Sequence, residues 1–127
     1  MSPLLRIVVS GMGLGRIALG LAPFLTAGPA SRLLGFPASH DTATARLMGR
    51  FFGVRDIGLG VLAFWGLRHT EALPFVMLFN AFMDLGDLVS ISIPLVKRQG
   101  IDRAATLSAL FALTGGMAWL IVWLIAR

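Results

Sequence analysis

Apolar residues fall into four stretches, each long enough to cross a bilayer, and the polar segments between them are short and turn-forming. A membrane helix needs about 20 mostly apolar residues to traverse about 30 Å of hydrocarbon. By that measure the pattern predicts spans over roughly 4–25, 42–67, 73–96 and 103–126. The first stops at Thr26-Ala27-Gly28-Pro29, where Gly and Pro halt a helix. Pro29 to Leu34, with Pro at its start and Gly35 just past its end, reads as a short interfacial helix that Phe36-Pro37 terminates. Asp41 is placed to cap the second long helix and Asp102 the fourth. The turn Arg68-His69-Thr70-Glu71 precedes the third span, and Lys97-Arg98-Gln99-Gly100 follows it. Pro94 falls late in the third span, where a kink or frayed end is tolerable.

Connections this short make each long helix antiparallel to its predecessor. The predicted fold is therefore all-α: an integral-membrane, four-helix, up-down-up-down bundle, one domain over 1–127, with the interfacial helix after the first span. Met1 to Ala30 has the look of a leader, with an Arg, an apolar stretch and small residues near Ala27 and Ala30. Arg16 interrupts that stretch, so the segment is expected to be retained as structure. A likeness at a displacement of 40 residues links Gly13, Ile17, Leu19 and Gly20 to Gly53, Ile57, Leu59 and Gly60. Shared helix packing or chance explains such matches better than duplication does.

Composition sharpens this picture. The chain is 57% hydrophobic and only 13% charged, with a mean hydropathy of +0.84. Soluble domains run at about 25% charged, so a chain this poor in charge requires an apolar solvent, which is lipid. The net charge of +5 does not imply nucleic acid, because no basic run exceeds Lys97-Arg98 and binding phosphates needs a clustered stripe. With no cysteine there are no disulfides and no thiolate ligands. His40 and His69 fall on opposite sides of the predicted membrane, and no metal or other cofactor is expected. Gly11-Met12-Gly13-Leu14-Gly15-Arg16 lacks the preceding strand and last glycine of a dinucleotide fingerprint, and close helix packing accounts for it better. The side holding the first and third loops is the more basic, which places those loops in the cytoplasm and both termini outside.

The informative residues are charges at lipid depth: Arg16 in the first span, Arg50, Arg55 and Asp56 in the second, Asp84 and Asp87 in the third. Such charges are costly and usually turn inward, pair and mark function. At 1.5 Å per residue, Arg16, Arg55, Asp56, Asp84 and Asp87 all lie roughly 12 to 17 Å from the first-loop side, with Arg50 at about 6 Å. Asn80, Asp84 and Asp87 share one helix face, as do Gly49, Gly53, Asp56 and Gly60. On the first span, Gly11, Gly15, Ala18 and Ala22 make one small-residue face and Gly13, Arg16 and Gly20 another. The expected site is a midplane polar cluster of Arg16, Arg50, Arg55, Asp56, Asn80, Asp84 and Asp87, bounded by three helices, with the fourth as an apolar outer wall. Its acids outnumber its two deepest bases by one, which asks for a shared proton or a bound cation.

Several runs also resemble a known group. Gly15-Arg16-Ile17-Ala18-Leu19-Gly20, Leu33-Leu34-Gly35, Ala45-Arg46 and Gly53-Val54-Arg55-Asp56-Ile57-Gly58-Leu59-Gly60 are similar to uncharacterised small four-helix bacterial membrane proteins, broadly DoxX-like. The resemblance covers most of the chain and implies the four-helix fold, but supplies no activity. Small multidrug transporters, of similar size, place a carboxylate in the first helix where this chain has Arg16, which argues against their mechanism. Ten Arg against one Lys fits a GC-rich bacterial genome. Three functions stay open. They are a binding or accessory subunit packing as a homo-oligomer or in a larger membrane complex, a proton- or ion-coupled transporter, and an enzyme acting on a lipophilic ligand.

Overall fold

The computed structural model describes Met1 to Arg127 and is all-helical. Five α-helices follow in order: α1 Pro3–Leu25, α2 Ala27–Leu34, α3 Ala43–Arg68, α4 Leu73–Val96 and α5 Asp102–Ala126, with a 3-10 turn at Ala38–His40. By length and composition, α1, α4 and α5 can each cross a membrane, which marks the chain as a membrane protein. Only 24 of the 127 residues are buried, and outward faces carry large apolar side chains such as Leu4, Phe75, Phe82 and Ile125. A water-facing surface would not be built so.

Local chemistry sets the helix ends. Ser2 caps α1 by accepting from the Leu5 N–H, with Pro3 at the first helical position. The cap of α3 is Thr42, accepting from the Ala45 N–H at 3.2 Å, and not Asp41, whose carboxylate is taken by Arg46. Nor does Asp102 cap α5. It lies in the first turn, where its charge favours the helix dipole, and Ile101 precedes it without a side-chain cap. The short helix begins at Ala27, earlier than the Pro29 start expected, and ends at Gly35 with φ of 98°. Glycine adopts that left-handed conformation without steric penalty.

Packing is uneven. The closest associations are α1 with α3 and α4 with α5, while α3 meets α4 and α1 meets α5 much more sparsely. The α1–α3 seam is built on glycine. A β-carbon at Gly13 would meet the Gly60 carbonyl oxygen, and one at Gly60 the Gly13 oxygen; Gly20 and Gly53 stand in the same reciprocal relation. Ile17 lies over Gly60 and Ile57 over Gly20. The glycines and isoleucines that match at a displacement of 40 thus face one another across an antiparallel seam, exchanged end for end, whereas Leu19 points outward. The Gly13, Arg16 and Gly20 face of α1 turns inward, whereas Gly11 and Gly15 have open space beside them. The apolar core lies toward the end holding both termini, where Val9, Ala63, Leu73, Met77 and Trp119 pack together.

Candidate functional site

Between that core and the first-loop end, α1, α3 and α4 bring six of the seven expected polar residues together. Arg16 is the hub. Its Nε donates to Asn80 Oδ1 at 2.9 Å, Nη1 to Asp56 Oδ1 at 3.2 Å and Nη2 to the Asn80 carbonyl at 3.1 Å. Asn80 is itself held, donating from Nδ2 to the Val76 carbonyl at 3.0 Å. Arg16, Asp56, Asn80 and Asp84 are all buried. The helical spacing of Asn80 and Asp84 places both on the inner face of α4, while Gly13, Gly20, Gly53 and Gly60 let α1 and α3 approach closely enough for Arg16 to reach Asp56.

Arg55 forms the second half of the network. Its guanidinium grips Asp87 in a bidentate pair, 2.6 Å on each oxygen, and Nη2 also reaches Asp56 Oδ1 at 3.4 Å. The Phe52 ring lies against the same guanidinium, 4.8 Å from its carbon to the ring centroid. This pair is only partly buried, so it sits nearer the periphery than Arg16.

Asp84 is the exception. Arg16 Nη2 lies 2.8 Å from Asp84 Oδ2, yet that buried oxygen accepts no well-directed hydrogen bond. On its far side are Gly115 and Gly116 of α5: a β-carbon at Gly115 would come within 2.8 Å of Asp84 Oδ2. The fourth long helix is therefore more than an outer wall. It brings no ionisable group, but its paired glycines close over the carboxylate, and Trp119 one turn further is buried. The signal for this was a Gly-Gly step inside an otherwise bulky apolar span.

Arg50 does not join the cluster. It is exposed on α3 and makes none of the ion pairs. Its long side chain lies on the outer side of α3, in the first half of that helix. At the same end, Arg46 grips Asp41 through two hydrogen bonds of 2.7 and 2.9 Å and lies over Gly28, where a β-carbon would crowd it. The hydrogen bond from Arg46 holds the Asp41 carboxyl below its ordinary range.

Chemically, the cluster is an Arg–Asp–Asn network in which two guanidinium groups meet three carboxylates, with Arg55 Nε and Asp84 Oδ2 the two buried polar atoms left without a hydrogen bond. Charges in so apolar a setting hold only when paired and hydrogen-bonded. Fold and site together define a small helical membrane protein with a buried ion network joining its helices. The chain belongs to the family described as "Domain of unknown function (DUF4267)", whose profile matches residues 13–126 and so takes in every residue of the network. No curated protein and no solved structure matches the chain.

Proposed function

We propose that all four long helices, α3 included, cross the bilayer and that the protein works as a binding or accessory subunit. In this reading the ion network holds the helices in register, and the apolar outer faces meet lipid, further copies of the chain or a larger membrane complex. The observation that supports it is the mutual pairing of the network: Arg16 bonds Asp56 and Asn80 across three helices, and both Nη atoms of Arg55 are engaged by Asp87 and Asp56. The two best-formed clefts, of about 200 and 110 Å³, lie away from the network at the terminal end, beside Leu5, Leu73 and Val122. Both are below the roughly 300 Å³ at which small-molecule pockets begin. With its internal charges paired, the 26-residue α3 has the length to span, about 39 Å at 1.5 Å per residue. The basic first-loop end suits the cytoplasmic face, with both termini outside. The DoxX-like runs and the arginine-rich composition suit a bacterial cytoplasmic membrane.

One observation favours a second reading, a proton-coupled transporter: the three acids exceed the two arginines, and Asp84 is the acid without a well-directed hydrogen bond. A single pair of measurements separates the two. Native mass spectrometry from gently solubilised membrane is expected to show a fixed oligomer or partner, and proteoliposomes no proton flux above empty vesicles. Flux that Asp84→Asn abolishes while thermal stability is kept would overturn the accessory reading in favour of transport.

A further inference from the structure

We propose that the end of the molecule formed by α2, the start of α3 and the α4–α5 turn is a binding surface for anionic phospholipid headgroups. The inference starts from charge. Six bases, Arg32, Arg46, Arg50, Lys97, Arg98 and Arg103, gather there with two acids, Asp41 and Asp102; the opposite end carries Arg6, Arg68 and Arg127 with Glu71. Arg46 is already committed to Asp41. Arg32, Arg50, Lys97, Arg98 and Arg103 are exposed and make no ion pair within the chain.

Two features say that the counter-charge is lipid. Leu33, next to Arg32, is 84% exposed and Val96, next to Lys97, is 82% exposed. A bare apolar side chain beside an unpaired base fits the boundary between acyl chains and phosphates, where the one enters the hydrocarbon and the other stays at headgroup level. The second feature is the backbone. Arg98 has φ of 50°, the one non-glycine residue with positive φ. An L-residue with a long side chain is strained there, and glycine would sit with less strain. The turn after α4 nonetheless presents a base at this position, which points to a use for its charge. The surface is also held in shape: Arg103 lies along Gly35, whose left-handed turn leaves room for it, so α2 is pinned against the start of α5.

The test uses the full chain in nanodiscs of phosphatidylcholine alone or with phosphatidylglycerol, reading the unfolding midpoint by tryptophan fluorescence and retained lipid by native mass spectrometry. Phosphatidylglycerol should raise the midpoint and stay bound as adducts, an effect that weakens as salt rises. Each base removed should cost about fivefold in lipid affinity, so Arg32→Gln/Lys97→Gln/Arg98→Gln should lose roughly a hundredfold. Arg6→Gln/Arg68→Gln, at the opposite end, should keep the wild-type preference. Arg98→Gly should unfold no earlier than wild type in phosphatidylcholine but gain less from phosphatidylglycerol. Equal stabilisation by both lipids, or equal losses from variants at the two ends, would overturn the proposal. Should the triple variant not fold, the salt dependence of wild type and the Arg98→Gly comparison decide it: a salt-independent preference, or an undiminished gain in Arg98→Gly, counts against the surface.

Discussion

Gly20 and Gly53 each stand where a β-carbon would run into the other's carbonyl oxygen, so neither helix of the α1–α3 seam can carry even alanine there without moving. Gly20→Ala or Gly53→Ala should therefore destabilise by about 1 to 3 kcal/mol, the ordinary cost of overpacking. Gly15→Ala and Gly58→Ala, with open space beside them, should be neutral or stabilising by up to about 1 kcal/mol through helix propensity. Unfolding of the four variants in one detergent gives the comparison, and equal effects at all four sites would contradict the seam.

Arg16→Ala removes the ion-pair partner of Asp56 and Asp84 and the donor that Asn80 accepts from. Leaving buried charge uncompensated costs about 3 to 5 kcal/mol. Arg50→Ala, on an exposed residue outside the network, should change stability by no more than about 0.5 kcal/mol. Unfolding free energies in detergent would show whether the two arginines separate this way.

Gly115→Ala should displace the Asp84 carboxylate, because the new methyl would come within 2.8 Å of Oδ2, closer than a carbon and an oxygen can pack. A loss of about 1 to 3 kcal/mol is expected from overpacking. Asp84→Gly in the same chain should recover part of it, since the side chain in the way is then absent. A double-mutant cycle measures the coupling, and strict additivity would show that the two residues do not meet.

The Asp41–Arg46 clamp should respond to acid. Asp41 is held below its ordinary carboxylate range by the hydrogen bond from Arg46, so its contribution is complete above the unfolded value and is lost as pH falls through the lowered folded one. Protection of the amides in the Gly28 segment, taken as the ratio of intrinsic to observed exchange rate, should stay constant from neutral pH into the ordinary carboxylate range and fall below it. Asp41→Asn should show the lower protection throughout.

These expectations rest on how much of the molecule the pattern of residues discloses. The long helices are legible because 20-residue apolar runs have few alternatives, and their ends shift by a residue or so where two capping residues stand side by side, as Asp41 and Thr42 do. Arg16, Arg55, Asp56, Asn80, Asp84 and Asp87 could be grouped because charge in an apolar medium must find charge. Arg50 could not be sorted by depth alone, since its place on the outer side of α3 is not a matter of depth. The part played by Gly115 and Gly116 was hidden for the opposite reason: a residue without a side chain announces no partner, and only the approach of α5 to Asp84 reveals one.

The uneven packing also bears on how the protein is assembled. The α1–α3 pair and the α4–α5 pair are each close-packed, and the bonds from Arg16 to Asn80 and Asp84 and from Arg55 to Asp87 all cross between them. The first pair carries Arg16, Arg55 and Asp56, the second Asp84 and Asp87. Asp56 meets both arginines inside the first half, which leaves that half one base in excess, while the second half holds two acids and no base of the network. Translation in chain order makes Arg16, Arg55 and Asp56 before Asp84 and Asp87, so the excess base of the first half is there for the later acids to meet. Two separately expressed halves, divided in the turn between Arg68 and Leu73, should find each other in the membrane by that complementarity.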